Sequence, residues 1–192
     1  AGAGTRIGSE NGQEGERSRM SIMPRGDQLL LPANPLFIVI TLLLALAFNM
    51  LPLGRSPWLP DLLALTLAFW VVHQPRRVGV GVSFFFGLLM DVHQGSILGQ
   101  HALAYTLLAF AAIALHRRLL WFPVFQQAAQ VLPLFIAAHL VSLVIRMAAG
   151  DLFPGWSYFI APCFEAVLWP IVSFVFLAPQ RRAPDPDENR PL

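Results

Sequence analysis

Three ionisable residues interrupt otherwise apolar runs: Asp91 in FFFGLLMDVHQG, His139 in LFIAAHLVSL and Glu165 in PCFEAVLWP. Carboxylates and an imidazole can share protons, bind a metal or hydrogen-bond a ligand, so the spacing around each decides which chemistry is open. Asp91 has His93 and His101 nearby, but no two ligands stand four apart on a helix, and the single Cys163 excludes a thiolate site, so no metal is expected. Catalytic patterns are missing too. There is no H-E-x-x-H, no G-x-S-x-G, no phosphate-cradling glycine loop with lysine, and no lysine at all. "AAGD" at residues 148–151 lacks the flanks of an intramembrane aspartyl protease. The residues thus point to a protein that is not an enzyme and needs no cofactor.

The surroundings set the medium. Hydrophobic residues are 56% and charged residues 12% of the chain, with mean hydropathy +0.59, which a water-exposed domain of this size does not tolerate. The expectation is an all-α polytopic membrane protein in contact with a lipid bilayer. A net charge of +2 is carried by arginines scattered between oily runs rather than gathered on a face, which argues against nucleic acid. Residues 1–26, rich in Gly, Ser and charge, read as a disordered leader or cloning remnant. Residues 27–178 read as one membrane domain, and 179–192, rich in Pro and acids, as a disordered cytoplasmic tail.

Six apolar runs can be placed, at about 35–51, 59–72, 78–92, 97–115, 128–147 and 158–177. The second and third are short against roughly 30 Å of hydrocarbon, which leaves open a re-entrant or thinned arrangement for that pair. With six spans, Arg25, Arg76, Arg77, Arg117, Arg118, Arg181 and Arg182 fall on one side, and only Arg55 and Arg146 on the other. This asymmetry places both termini in the cytoplasm, with Arg76, Arg77, Arg117 and Arg118 forming a cytoplasmic rim that meets lipid headgroups or a cytoskeletal partner. Pro60 and Asp61 mark the start of the second helix, with Asp61 in its first turn as a dipole partner. Pro133, Pro162 and Pro170 should kink their spans.

On the third run Gly79, Ser83, Gly87 and Asp91 recur every four residues, a small-residue stripe that suits close packing within the bundle or against a partner helix, and that turns Asp91 away from lipid. Gly95 and Gly99 then mark a turn. At about 1.5 Å per residue, Asp91, His139 and Glu165 come to one level, about 18–20 Å above the cytoplasmic edge. Ser142 and Arg146 continue the polar face of His139 outward. Two readings stand. Asp91, His139 and Glu165 line one polar cavity with Arg146 at its mouth, or each satisfies backbone or water near its own kink.

These residues carry a resemblance. The stretch PWLPDLLALTLAFWVVHQPRRVGVGVSFFFGLLMDVHQGSILGQHALAYTLLAF, followed by HRRL, FPVFQQA and a late LWP, resembles the MreD family of rod shape-determining membrane proteins of bacterial cell-wall elongation, over about residues 32–177. Its most specific part is G-x-x-x-D-x-x-x-G-x-x-L-G, formed by Gly87, Asp91, Gly95, Leu98 and Gly99, with Pro60 and Asp61 upstream. The resemblance implies a non-enzymatic scaffold of the bacterial inner membrane, acting in cell shape and peptidoglycan synthesis. Its implied partners are an MreC-like protein, a RodA-type polymerase with its transpeptidase, and an MreB-type cytoskeleton. That family is also thought similar in fold to the substrate-capture subunits of energy-coupling transporters, which implies as alternative a subunit that binds a small ligand or lipid. Ala45 is followed four positions later by Asn49, a departure from the Ala-x-x-x-Ala docking motif of those subunits.

Overall fold

The computed structural model describes residues 34–51 and 59–180. Among them the fold is all-helical: α1 (Pro35–Asn49), α2 (Leu62–His73), α3 (Val80–Gln94), α4 (Gln100–Leu120), α5 (Val124–Ala148) and α6 (Ile160–Leu177). A 3-10 turn, Trp156–Phe159, leads into α6 and another, Ala178–Gln180, follows it. The expected leader, residues 181–192 of the expected tail, and Arg25, Arg55, Arg181 and Arg182 lie outside the described residues, whereas Pro179 and Gln180, expected to open that tail, belong to the last 3-10 turn.

The helix ends follow local chemistry. Asn34 caps α1, its side chain accepting from the Leu36 N–H at 3.0 Å, with Pro35 in the first turn, where its missing N–H costs nothing. Asp61 does not sit inside the first turn of α2 as the sequence suggested. It stands one position before it, because its carboxylate takes the otherwise orphaned N–H groups of Leu63 and Ala64. The Gly95 and Gly99 turn forms as expected, both with positive φ (60° and 106°), the left-handed region that a side chain resists. α4 runs on to Leu120, five residues past the expected end, since Arg117 and Arg118 in its last turn complement the helix dipole. Pro123 stands at the N-cap of α5 and lets that helix begin at Val124.

The short α2 is the pillar of the bundle. All ten residues from Leu63 to Val72 are buried, and the helix packs on α1, α4 and α6. The remaining helices follow in sequence, α3 on α4, α4 on α5 and α5 on α6. Phe37, Phe69, Trp70 and Phe176 interlock at the α1–α2–α6 contact, with Trp70 stacked on Phe176 at 5.7 Å between ring centres. Both buried indoles find acceptors: Trp70 Nε1 donates to Thr41 Oγ1 at 2.9 Å and Trp169 Nε1 to Gln127 Oε1 at 3.2 Å.

Outward faces are apolar, with Leu44, Phe85, Phe110 and Val167 all more than half exposed. So broad an apolar exterior is suited to lipid. Gln100–Leu120, Val124–Ala148 and the run Trp156–Gln180 are long and apolar enough to cross a membrane; α1, α2 and α3, of 15, 12 and 15 residues, are apolar but shorter.

Candidate functional site: a polar chain through the bundle

The third-helix stripe resolves into distinct roles. Gly79 caps α3, and Ser83, fully buried, donates back to its carbonyl at 3.2 Å. Gly87 is where α3 and α4 meet: a Cβ built there would lie 2.4 Å from Ala102 Cα and 2.7 Å from the His101 carbonyl oxygen. Of the three phenylalanines, Phe84 and Phe85 face outward while Phe86 turns in.

Asp91, one helical turn further, is 1% exposed. It closes the α3–α4 turn on itself. Oδ2 accepts from the N–H groups of Gly99 at 2.8 Å and Ala102 at 3.3 Å, and Oδ1 from the His101 N–H at 2.7 Å, the His101 Nδ1 at 2.8 Å and Ser96 Oγ at 3.0 Å. Since a carboxylate only accepts, His101 carries its hydrogen on Nδ1. The orphan N–H groups at the start of α4 thus find their acceptor in the last turn of α3. His93 is exposed and not part of this set, and among the described residues no three His, Cys, Asp or Glu side chains gather to hold a metal.

A second cluster forms at the N-terminus of α2. Asp61 Oδ1 accepts from Leu63 N–H at 3.0 Å, Ala64 N–H at 2.9 Å and Asn49 Nδ2 at 2.6 Å, while Oδ2 accepts from the Tyr105 hydroxyl. The Asp61 N–H in turn donates to Glu165 Oε1 at 2.9 Å, and the same oxygen lies 3.5 Å from His139 Nε2. The His139 ring meets Tyr158 edge to face at 5.4 Å.

Of the four residues expected around one cavity, His139 and Glu165 come together, Asp91 is bonded within its own turn, and Arg146 pairs with Asp151 at 3.1 Å. The two clusters are joined through α4, where His101 and Tyr105, one turn apart, have ring centres 6.0 Å apart and reach Asp91 and Asp61 respectively. Tyr105 and Asn49 were missed by sequence reasoning, and Asp61 was assigned only its helix end. The available signal was Tyr105 at i+4 from His101, on the same face as a histidine that must itself turn inward. An opening of about 520 Å3 lies elsewhere, between α5 and α6; it is apolar, lined by Ala128, Leu132, Cys163, Ala166 and Pro170 among others, and by none of the four.

Arg76 and Arg77 lie exposed in the α2–α3 turn, and Arg117 and Arg118 in the exposed last turn of α4. Short connections make successive helices alternate in direction, so these four share one end of the bundle.

Asp61 is the hub, linking α1, α2 and α4 through its side chain and α6 through its backbone. Asp61→Ala is expected to lower unfolding stability by about 3 kcal/mol, through loss of a helix cap and two side-chain donors left without an acceptor. Thermal unfolding in detergent would measure it; a change below about 0.5 kcal/mol, the size of a surface substitution, would deny the hub.

Comparison with known proteins gives the chain a family. The family profile described as rod shape-determining protein MreD matches residues 30–178. A rod shape-determining protein MreD of Haemophilus influenzae is 34% identical over 150 residues, covering 76% of this chain and 88% of that protein. No solved structure matches the chain significantly. A match that runs through all six helices, the α3–α4 turn and the Asp61 hub leads to one conclusion: the chain belongs to the MreD family of rod shape-determining membrane proteins.

Proposed function

We propose that this protein is a non-enzymatic scaffold of the bacterial inner membrane, with six spans and both termini cytoplasmic, which holds an MreC-like protein together with the peptidoglycan synthases of cell-wall elongation. The observation that carries the reading is the extent of the family match, residues 30–178, which takes in the whole helical domain rather than one motif. The polar network supports it. Asp91 and Asp61 spend their acceptors on helix ends of their own fold, work that sets a rigid shape for partners to read. The arginine asymmetry supports the topology, with Arg76, Arg77, Arg117 and Arg118 at one end of the bundle. The short α1, α2 and α3 cross with neighbouring helices and local bilayer thinning making up the difference.

Co-expression with an MreC-like protein tests the reading. A complex that survives detergent extraction and purification is the expected result, and independent purification of the two chains would overturn it. Recovery of a tightly bound, stoichiometric vitamin by mass spectrometry would favour the transporter-like alternative.

A further inference from the structure

His139 on α5 and Glu165 on α6 face each other across 3.5 Å, Nε2 to Oε1. The other ring nitrogen settles where the imidazole keeps its hydrogen. Nδ1 lies 3.0 Å from the Phe135 carbonyl oxygen, which can only accept, so Nδ1 is the donor. In a neutral imidazole Nε2 is then a bare lone pair. Opposite an ionised carboxylate, it would set two acceptors against each other with no hydrogen between them. Glu165 is 0% exposed, so water does not relieve that conflict from outside. One added hydrogen removes it in either of two forms, imidazolium with carboxylate or imidazole with carboxylic acid, and both forms are neutral overall.

The neighbours do not supply that hydrogen. The Asp61 N–H already donates to Glu165 Oε1, and the Asp61 carboxylate accepts from four groups and has no proton to share. From α4, the Tyr105 hydroxyl is given to Asp61 and His101 to Asp91. From the loop before α6, the Tyr158 hydroxyl donates to the His139 carbonyl oxygen at 3.3 Å. Arg146, on α5 itself, is held by Asp151. The carboxylate nearest to Glu165 along this network is Asp61, a like charge that opposes ionising the glutamate alone. Glu165 Oε2, buried and without any partner, shows that this carboxyl is not a fully used structural acceptor of the kind Asp91 is.

We propose that His139 and Glu165 together form a one-proton binding site inside the bundle, and that the bound proton fastens α5 and α6 to the buried N-terminus of α2. Release of the proton restores the two-acceptor conflict beside Asp61 and loosens that junction. The inference stands apart from the scaffold reading, since it concerns the chain alone.

Thermal unfolding of the full chain in lipid nanodiscs, from about pH 5 to about pH 9, is the test. The wild-type midpoint falls as pH rises and the proton leaves, by about 5 °C across the range. Glu165→Gln flattens the profile, because it removes both the carboxyl that can carry the proton and the charge that balances an imidazolium, while its amide oxygen still accepts from the Asp61 N–H. His93→Asn, at an exposed histidine, keeps the wild-type slope. A wild-type midpoint that does not move with pH, or a Glu165→Gln slope equal to wild type, would overturn the proposal. Nitrogen-15 spectra of the histidine rings, assigned with His139→Asn, give a readout on the wild-type protein that is independent of how Glu165→Gln folds. The expected result is a hydrogen on His139 Nδ1 throughout and an Nε2 signal that shifts over the pH range of the midpoint change; a bare Nδ1 or a fixed Nε2 signal would sink the site.

Discussion

Gly87→Ala is expected to cost about 3 kcal/mol of unfolding stability, a large effect for one methyl group. The new Cβ would lie 2.4 Å from Ala102 Cα, 2.6 Å from Ala102 N and 2.7 Å from the His101 carbonyl oxygen. All three are backbone atoms, so no side-chain rotation relieves the clash and α3 must move away from α4. That movement also draws Asp91, one turn along α3, from the amides of Gly99, His101 and Ala102. Phe85→Leu on the outward face of the same helix should change stability by less than about 0.5 kcal/mol. Chemical or thermal unfolding of the two variants side by side decides the matter; similar losses would show that Gly87 is not the contact point.

Asp91→Asn should be almost as damaging as Asp91→Ala, by about 3 kcal/mol, although it preserves shape. Both carboxylate oxygens face donors: three backbone N–H groups, the His101 Nδ1 hydrogen and the Ser96 hydroxyl. Whichever way an asparagine turns, its NH2 meets N–H groups it cannot bond, inside a site that is 1% exposed. The residue is therefore needed as a double acceptor. Against a typical total stability of about 5–15 kcal/mol, the variant should unfold well below the wild-type temperature, and should extract from membranes in lower yield. An asparagine variant with wild-type stability would mean that one hydrogen-bonding oxygen suffices.

Much of this geometry was legible in the sequence. The Gly79, Ser83, Gly87, Asp91 spacing gives a helix face, and a carboxylate on that face has to turn inward in an oily protein. The Gly95 and Gly99 turn follows from the same residues. Asp91, His139 and Glu165 were matched by depth along their helices, an argument that needs only the rise per residue, and of the three His139 and Glu165 meet while Asp91 is held in its own turn. The Asp61 hub was not legible. Its bond to Glu165 joins positions 104 apart, and depends on α2 starting deep in the bundle. Nor does the sequence distinguish the burial of α2 from the partly outward-facing position of α1. Both are almost wholly apolar, and an apolar run reads alike whether it meets protein or acyl chains. The pairing of Arg146 with Asp151, five residues on and past the helix end, was not legible either, because periodicity along α5 says nothing of the loop that follows it.

The enclosure of α2 from Leu63 to Val72 also gives this protein an internal clock. From Leu63 to Val72 the helix touches neither lipid nor water, so a local fluctuation of one neighbour leaves most of its surface still covered. Its amide hydrogens can trade with deuterium only when α1, α4 and α6 part together, and their exchange rate reports opening of the whole bundle. The outward helices exchange through smaller, cheaper openings at their ends. A single ten-residue segment therefore serves as the reference against which the looseness of every other part of the molecule can be read.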